Sequence, residues 1–220
     1  MPAIAPYATP GPTLRIDVWS DYVCPFCYLE LPVLDAVAAE FGAAVQVHWR
    51  AFELRPDPVA TLDPAGEYLR TTWDRAVYPM AAERGMTLRL PPVQPRSRLA
   101  MEAAEHARAE RLYEPMHRAL FAGFFEHGLD IGRIEVLVDI GRSVGLAARA
   151  LDEALQDSRH TEQVLRDQRL AQQLGVSGVP MMVLSAAEAP LHDAVGLSGA
   201  QPPERVRGAV RNWLARHAAR

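Results

Sequence analysis

At 220 residues, 49% hydrophobic and 23% charged, the chain suits one soluble globular core with room for an insertion and is short for two full domains. Its 23 basic residues, all arginine, stand against 27 acidic ones for a net charge of −4, which argues against general nucleic-acid or anionic-membrane binding. No apolar run approaches the ~20 residues that span a bilayer, and Met1-Pro2-Ala3-Ile4-Ala5-Pro6 has neither a basic nor a long apolar leader region, so the cytoplasm is the expected compartment.

Residues 1–13 carry Pro2, Pro6, Pro10 and Pro12 and read as a loose tail. Leu14 to Trp19 alternates with β-branched residues and reads as a strand. Ser20-Asp21-Tyr22-Val23 then leads into Cys24-Pro25-Phe26-Cys27. Pro25 suits the first position of a helix, where a missing N–H costs nothing. Leu29, Val33, Ala36, Val37 and Phe41 follow at helical spacing, with Pro32 expected to kink the helix and Gly42 to close it. Ala44 to Trp49 is a second strand, so residues 14–50 spell a βαβ unit with the two cysteines at the carboxyl end of its first strand.

The middle is helical. Asp63-Pro64 reads as an N-cap followed by an N1 proline, with Leu69, Trp73, Val77 and Met80 on one face and Gly85 at the end. Further helices are expected over 97–108, 112–127, 134–144, 147–156 and 161–174, with a Pro-rich loop from Arg89 to Pro95. Strands return with Met181 to Leu184 after Gly178-Val179-Pro180, and with a candidate over 192–196. The chain closes on an amphipathic helix carrying Val206, Ala209, Val210, Trp213 and Leu214.

Two cysteines cannot staple a chain of this length. Zinc needs four ligands, and there is no second CxxC and no histidine pair at i, i+3 or i+4, so no metal is expected. A redox dithiol fits better. Cys24 stands at the amino end of a helix, where unpaired N–H groups and the helix dipole favour a thiolate, and Cys27 lies one turn on, within reach to close a disulfide. Cys24 is then the exchanging sulfur and Cys27 the resolving one.

With the CPFC segment after strand one and a Val-Pro before strand three, the chain resembles the DsbA-like family, and its FrnE-like branch in particular. Four stretches carry the likeness: Ser20 to Tyr28 (SDYVCPFCY), Phe52-Glu53-Leu54-Arg55-Pro56, Gly175 to Pro180 (GVSGVP) and Ser198 to Pro203 (SGAQPP). The resemblance implies an α/β thioredoxin fold, βαβ–ββα, over 14–60 and 175–218, with an all-helical insertion over 61–174. It implies a protein thiol–disulfide oxidoreductase needing no organic cofactor, with a cis bond at Val179-Pro180 facing the dithiol, and disulfide- or thiol-containing proteins or glutathione as partners. Thioredoxin-like relatives bury an acid near the second cysteine; Asp17 is the candidate, and a solvated charge the alternative. Tyr22, Pro25, Phe26 and Val179 are candidates for an apolar collar around substrate. The rival enzyme class is a glutathione-linked transferase or isomerase like the kappa-class enzymes, which generally carry serine where Cys24 stands. The non-enzymatic rival is a holdase or partner-binding module using the helical block.

Overall fold

The computed structural model describes residues 13–188 and 194–217. All but the last residue of the proline-rich tail lies outside them, as does the start of the expected 192–196 strand.

Strand β1 (Leu14–Ser20) runs parallel to β2 (Val45–Ala51), with Val18 opposite Trp49, and the crossover between them is α1 (Pro25–Phe41). A parallel pair requires such a crossover, because a tight turn reverses the chain. β3 (Met181–Ala186) returns antiparallel to β1, β4 (Val195–Ser198) antiparallel to β3, and the sheet order is β2-β1-β3-β4. Between β2 and β3 come α2 (Glu67–Thr72), a π-helical stretch (Trp73–Val77), α3 (Tyr78–Glu83), α4 (Arg98–Ala109), α5 (Tyr113–Phe125), α6 (Ile134–Ser143), α7 (Ala148–Gln156) and α8 (Thr161–Gln173). The closing helix is α9 (Pro203–His217), which buries Val206, Val210 and Trp213. This is the expected α/β fold with a helical insertion.

The inserted helices share their core with the sheet. One buried cluster runs from Leu14, Ile16 and Val18 through Leu29 and Val37 of α1 to Phe121, Leu137 and Leu151. The alternation of β1 divides its side chains. Leu14, Ile16 and Val18 enter that cluster, whereas Trp19 joins Phe52, Ala171 and Val176 on the other face, against α8. On this second face Asp167 of α8 accepts from Arg50 at 2.7 Å and from the Ala51 amide at 3.2 Å, and its carbonyl takes the Trp19 indole N–H at 3.0 Å.

One expectation shifts. The helix after Asp63-Pro64 begins at Glu67 instead, because Asp63 closes a turn, its side chain and carbonyl accepting from the Ala65 and Gly66 amides. Pro32 lies inside α1, which runs on to Phe41.

Candidate functional site

Cys24 is the N-cap of α1, with φ −95° and ψ 111°, and Pro25 holds the first turn. No acidic residue occupies that turn to compete with a thiolate for the helix N–H groups. The Val179–Pro180 bond is cis. The Cys24 Sγ lies 3.6 Å from the Val179 carbonyl, to which the thiol donates. Cys24 and Val179, 155 residues apart, are thus in contact. Pro180 is followed directly by β3, and the Gly199 amide donates to its carbonyl at 2.8 Å. The SGAQPP loop is pinned to α1 as well. Glu30, fully buried, accepts from the Gln201 amide at 3.2 Å and pairs with Arg84 at 3.2 Å, while Arg84 also donates to the Gln201 carbonyl at 2.7 Å.

Both cysteines are free thiols. Cys24 is only 4% exposed, less than a helix terminus suggests. It opens into a pocket of about 320 Å³ that it lines with Pro25, Phe26 and Val179, three of the expected collar residues. The facing wall comes from the helical block, with Leu69, Trp73 and Phe125, and the rim from Leu54, Arg55 and Tyr68. Tyr68 is 65% exposed, so apolar surface continues outward from the mouth. The π-helical stretch carries Trp73 into this wall. The sequence offers Trp73 and Phe125 as core of the helical block or lining of a groove beside Cys24, and Leu54 and Arg55 only within the Phe52–Pro56 stretch of the resemblance; nothing local marks Tyr68.

Tyr22 does not join the collar. It turns inward, 5% exposed, its hydroxyl 2.8 Å from His117 Nδ1 and its ring tilted against Phe121. Asp17 does not approach the cysteines either. It is buried, but on the Trp19 face, hydrogen-bonded to Arg15 at 2.9 Å, Arg50 at 2.8 Å and His48 at 3.2 Å. Burial raises its pKa, and His48 with the two guanidinium groups outweighs that, leaving it below the ordinary value. Seven residues before Cys24 puts it on the wrong side of a strand whose side chains alternate.

The buried acid beside the dithiol is Asp21, three residues before Cys24. It is 0% exposed and lines the pocket with Cys24. Its Oδ2 accepts from the Leu54 amide at 2.8 Å and its Oδ1 from the Val23 amide at 3.2 Å. The carboxylate thereby ties the loop before Cys24 to the segment after β2. Burial pushes its pKa up to about 6, against the pull of those hydrogen bonds and of the Ser97 side chain. Cys27 is 0% exposed, and burial raises its thiol well above the ordinary value, as does neighbouring Cys24; the Asp21 amide and the Ser20 hydroxyl act the other way. Among the described residues no three His, Cys, Asp or Glu side chains gather as a metal site requires.

The family model of the DsbA-like thioredoxin domain matches residues 15–211. An uncharacterized protein of Bacillus subtilis, YwbO, is 30% identical over 178 residues, 78% of this chain and 87% of that one. Among solved structures, a probable DsbA oxidoreductase, SCO1869, from Streptomyces coelicolor superposes with a TM-score of 0.72 at 26% identity, covering 90% of this chain and 89% of the other. The cytosolic disulfide reductase DsbM of Pseudomonas aeruginosa, solved with GSH, shares the fold with a TM-score of 0.67 at 21% identity over 91% and 99% of the two chains. A dithiol at the start of α1, met by a cis-proline loop from the far end of the sequence, and a family match that runs from β1 into α9 lead to one assignment: the chain belongs to the DsbA-like thioredoxin-domain family.

Proposed function

We propose that this protein is a thiol–disulfide oxidoreductase in which Cys24 exchanges with substrate and Cys27 resolves. The observation that carries the reading is the Cys24 thiol at a helix N-terminus, against the Val179 carbonyl and open to an apolar pocket. In the reducing direction the Cys24 thiolate attacks a substrate disulfide, one substrate sulfur leaves as thiolate, and a mixed disulfide remains. Cys27 then loses its proton and attacks Cys24 Sγ, the second substrate thiolate leaves, and the two cysteines carry the disulfide. Two electrons pass to substrate, and a thiol reductant returns them to the dithiol. Oxidation of substrate is the same path reversed. The dithiol carries the electrons, so no organic cofactor enters.

Disulfide- or thiol-containing proteins and glutathione are the proposed partners, in the cytoplasm; the likeness to DsbM, a cytosolic disulfide reductase solved with GSH, supports both. Asp21 rather than Asp17 is the proposed acid of the site. A kappa-class-like transferase is disfavoured by the presence of both sulfurs. Trapping tests the assignment. Cys24→Ser should abolish exchange, and Cys27→Ser should accumulate mixed disulfides visible by mass spectrometry. Mixed disulfides that build up on Cys27 in Cys24→Ser instead would reverse the roles.

A further inference from the structure

The pocket beside Cys24 decides which disulfides reach the thiol. Among the described residues its lining carries one acid, Asp21, and two cations, Arg55 and Arg96. Asp21 pairs with neither cation; its oxygens take the Val23 and Leu54 amides. Arg96 is spent on the loop after β2. It donates to the Arg55 carbonyl at 3.1 Å and to the Val59 carbonyl at 3.0 Å, and it pairs with Asp57 at 3.0 Å. Arg55 differs. Its guanidinium donates to the Ala60 carbonyl at 3.3 Å and, among the described residues, forms no ion pair. The acids on either side of it in sequence are taken, Glu53 by Arg98 at 2.6 Å and Asp57 by Arg96.

The backbone that carries Arg55 is held on both sides. Asp21 accepts from the Leu54 amide at 2.8 Å, and Arg96 donates to the Arg55 carbonyl. Arg55 itself is half-buried. A guanidinium anchored in this way loses less freedom on taking up a ligand than one on a loose loop, and its planar fork matches a carboxylate with two N–H donors. The walls around it are apolar, with Phe26, Leu69, Trp73 and Phe125. Leu54 and Tyr68, 39% and 65% exposed, carry that surface past the mouth. A volume of about 320 Å³ is at the small end of ligand pockets. It suits one large side chain, and the apolar rim suits the chain that bears it.

Resting on the dithiol reading, we infer that Arg55 is a specificity-determining residue, and that the preferred substrate is an extended peptide whose reacting cysteine is flanked by one apolar and one acidic residue. The apolar side chain seats against Trp73 and Phe125, and the carboxylate pairs with Arg55 at the rim. The rim is the place for it, because a carboxylate set directly against Cys24 would be repelled by the thiolate. The exchange step keeps its balance: Cys24 Sγ bonds to the peptide sulfur, the substrate S–S bond breaks, and the outer sulfur leaves with the electron pair.

Capped tripeptides with a central cysteine held as its 2-thiopyridyl disulfide test this, because attack by Cys24 releases pyridine-2-thione. Phenylalanine and glutamate flank the cysteine in both orders, and glutamine replaces glutamate in the controls. Each rate constant for the reduced protein is divided by that for dithiothreitol with the same peptide, which removes intrinsic reactivity. In at least one order the glutamate peptide should react about 5- to 20-fold faster than its glutamine control, above the worth of an exposed ion pair and below that of a fully buried one. The preference should vanish in Arg55→Met, survive in part in Arg55→Lys, and shrink at about 0.5 M salt. Equal rates for glutamate and glutamine in both orders, or a preference that outlasts Arg55→Met, would overturn the subsite while exchange itself stands. Glutathione capped in the same way carries carboxylates without an apolar side chain. A fall in its rate alone in Arg55→Met would give Arg55 to a small thiol and overturn the peptide. No release from any of these disulfides would instead overturn the dithiol reading, and the subsite with it.

Discussion

Asp21 permits a quantitative test of how the site is assembled. Its carboxyl is 0% exposed, and burial raises its pKa from 3.8 to about 6. Between those values the native protein binds a proton that the unfolded chain has released. Stability from this group is therefore complete below about pH 3 and falls as pH rises towards 7. A displacement of roughly two units at 1.36 kcal/mol each amounts to about 3 kcal/mol. Asp21→Asn removes this titration. The amide also turns an N–H₂ towards one of the donors, Val23 or Leu54, so its stability at any single pH is offset by an unmade hydrogen bond. The difference in pH dependence is free of that offset. Glu30 and Glu102, whose pKa values burial also raises, titrate in both proteins and cancel. Urea unfolding at pH 4, 5, 6 and 7 should show the unaltered protein losing about 2.4 kcal/mol relative to Asp21→Asn across the series, because the unfolded carboxyl is already more than half ionised at pH 4. Parallel curves would mean that Asp21 ionises as a solvated carboxyl does, and the account of a dehydrated acid bridging Val23 and Leu54 would be wrong.

Arg84→Met should cost about 3–5 kcal/mol, since it strips the buried Glu30 carboxylate of its charge partner; a loss under about 1 kcal/mol in the same assay would show the pair to be incidental. Asp17→Asn should leave single-turnover exchange with a chromogenic disulfide within about twofold of the unaltered protein, because proton transfer of catalytic size would move it by 10² or more. Its depressed pKa means that Asp17 stabilises the fold above its unfolded value and loses that contribution as pH falls, so the variant should lose less stability on acidification. Trp73→Ala should destabilise by about 3–5 kcal/mol, and it should slow exchange with a peptide disulfide flanked by apolar side chains more than exchange with glutathione disulfide. Equal slowing of both would remove Trp73 from substrate contact.

The strands, the helices and the order of elements were legible because they follow from periods of two and 3.6 residues and from prolines and glycines that punctuate locally. The dithiol was legible because Cys24 and Cys27 are neighbours in sequence and a helix start gives that spacing its chemistry. The cis bond before Pro180 was legible through the resemblance, and its Val179 carbonyl meets Cys24 across 155 residues. What the sequence left open turned on direction. A buried acid was expected near the second cysteine, but the alternation of β1 sends Asp17 to the α8 face with Trp19, and a shift of one residue is enough to exchange faces. Asp21 took that place because the chain bends after Ser20 and presents its carboxyl to the amides of Val23 and Leu54. Tyr22 went to the interior because His117, 95 residues on, offers its hydroxyl a partner there. The wall opposite Cys24 combines Leu69, Trp73 and Phe125 from separate elements of the helical block. Such sites arise where elements distant in the chain pack together, and a side chain's neighbours there are set by the faces that meet, which no local pattern records.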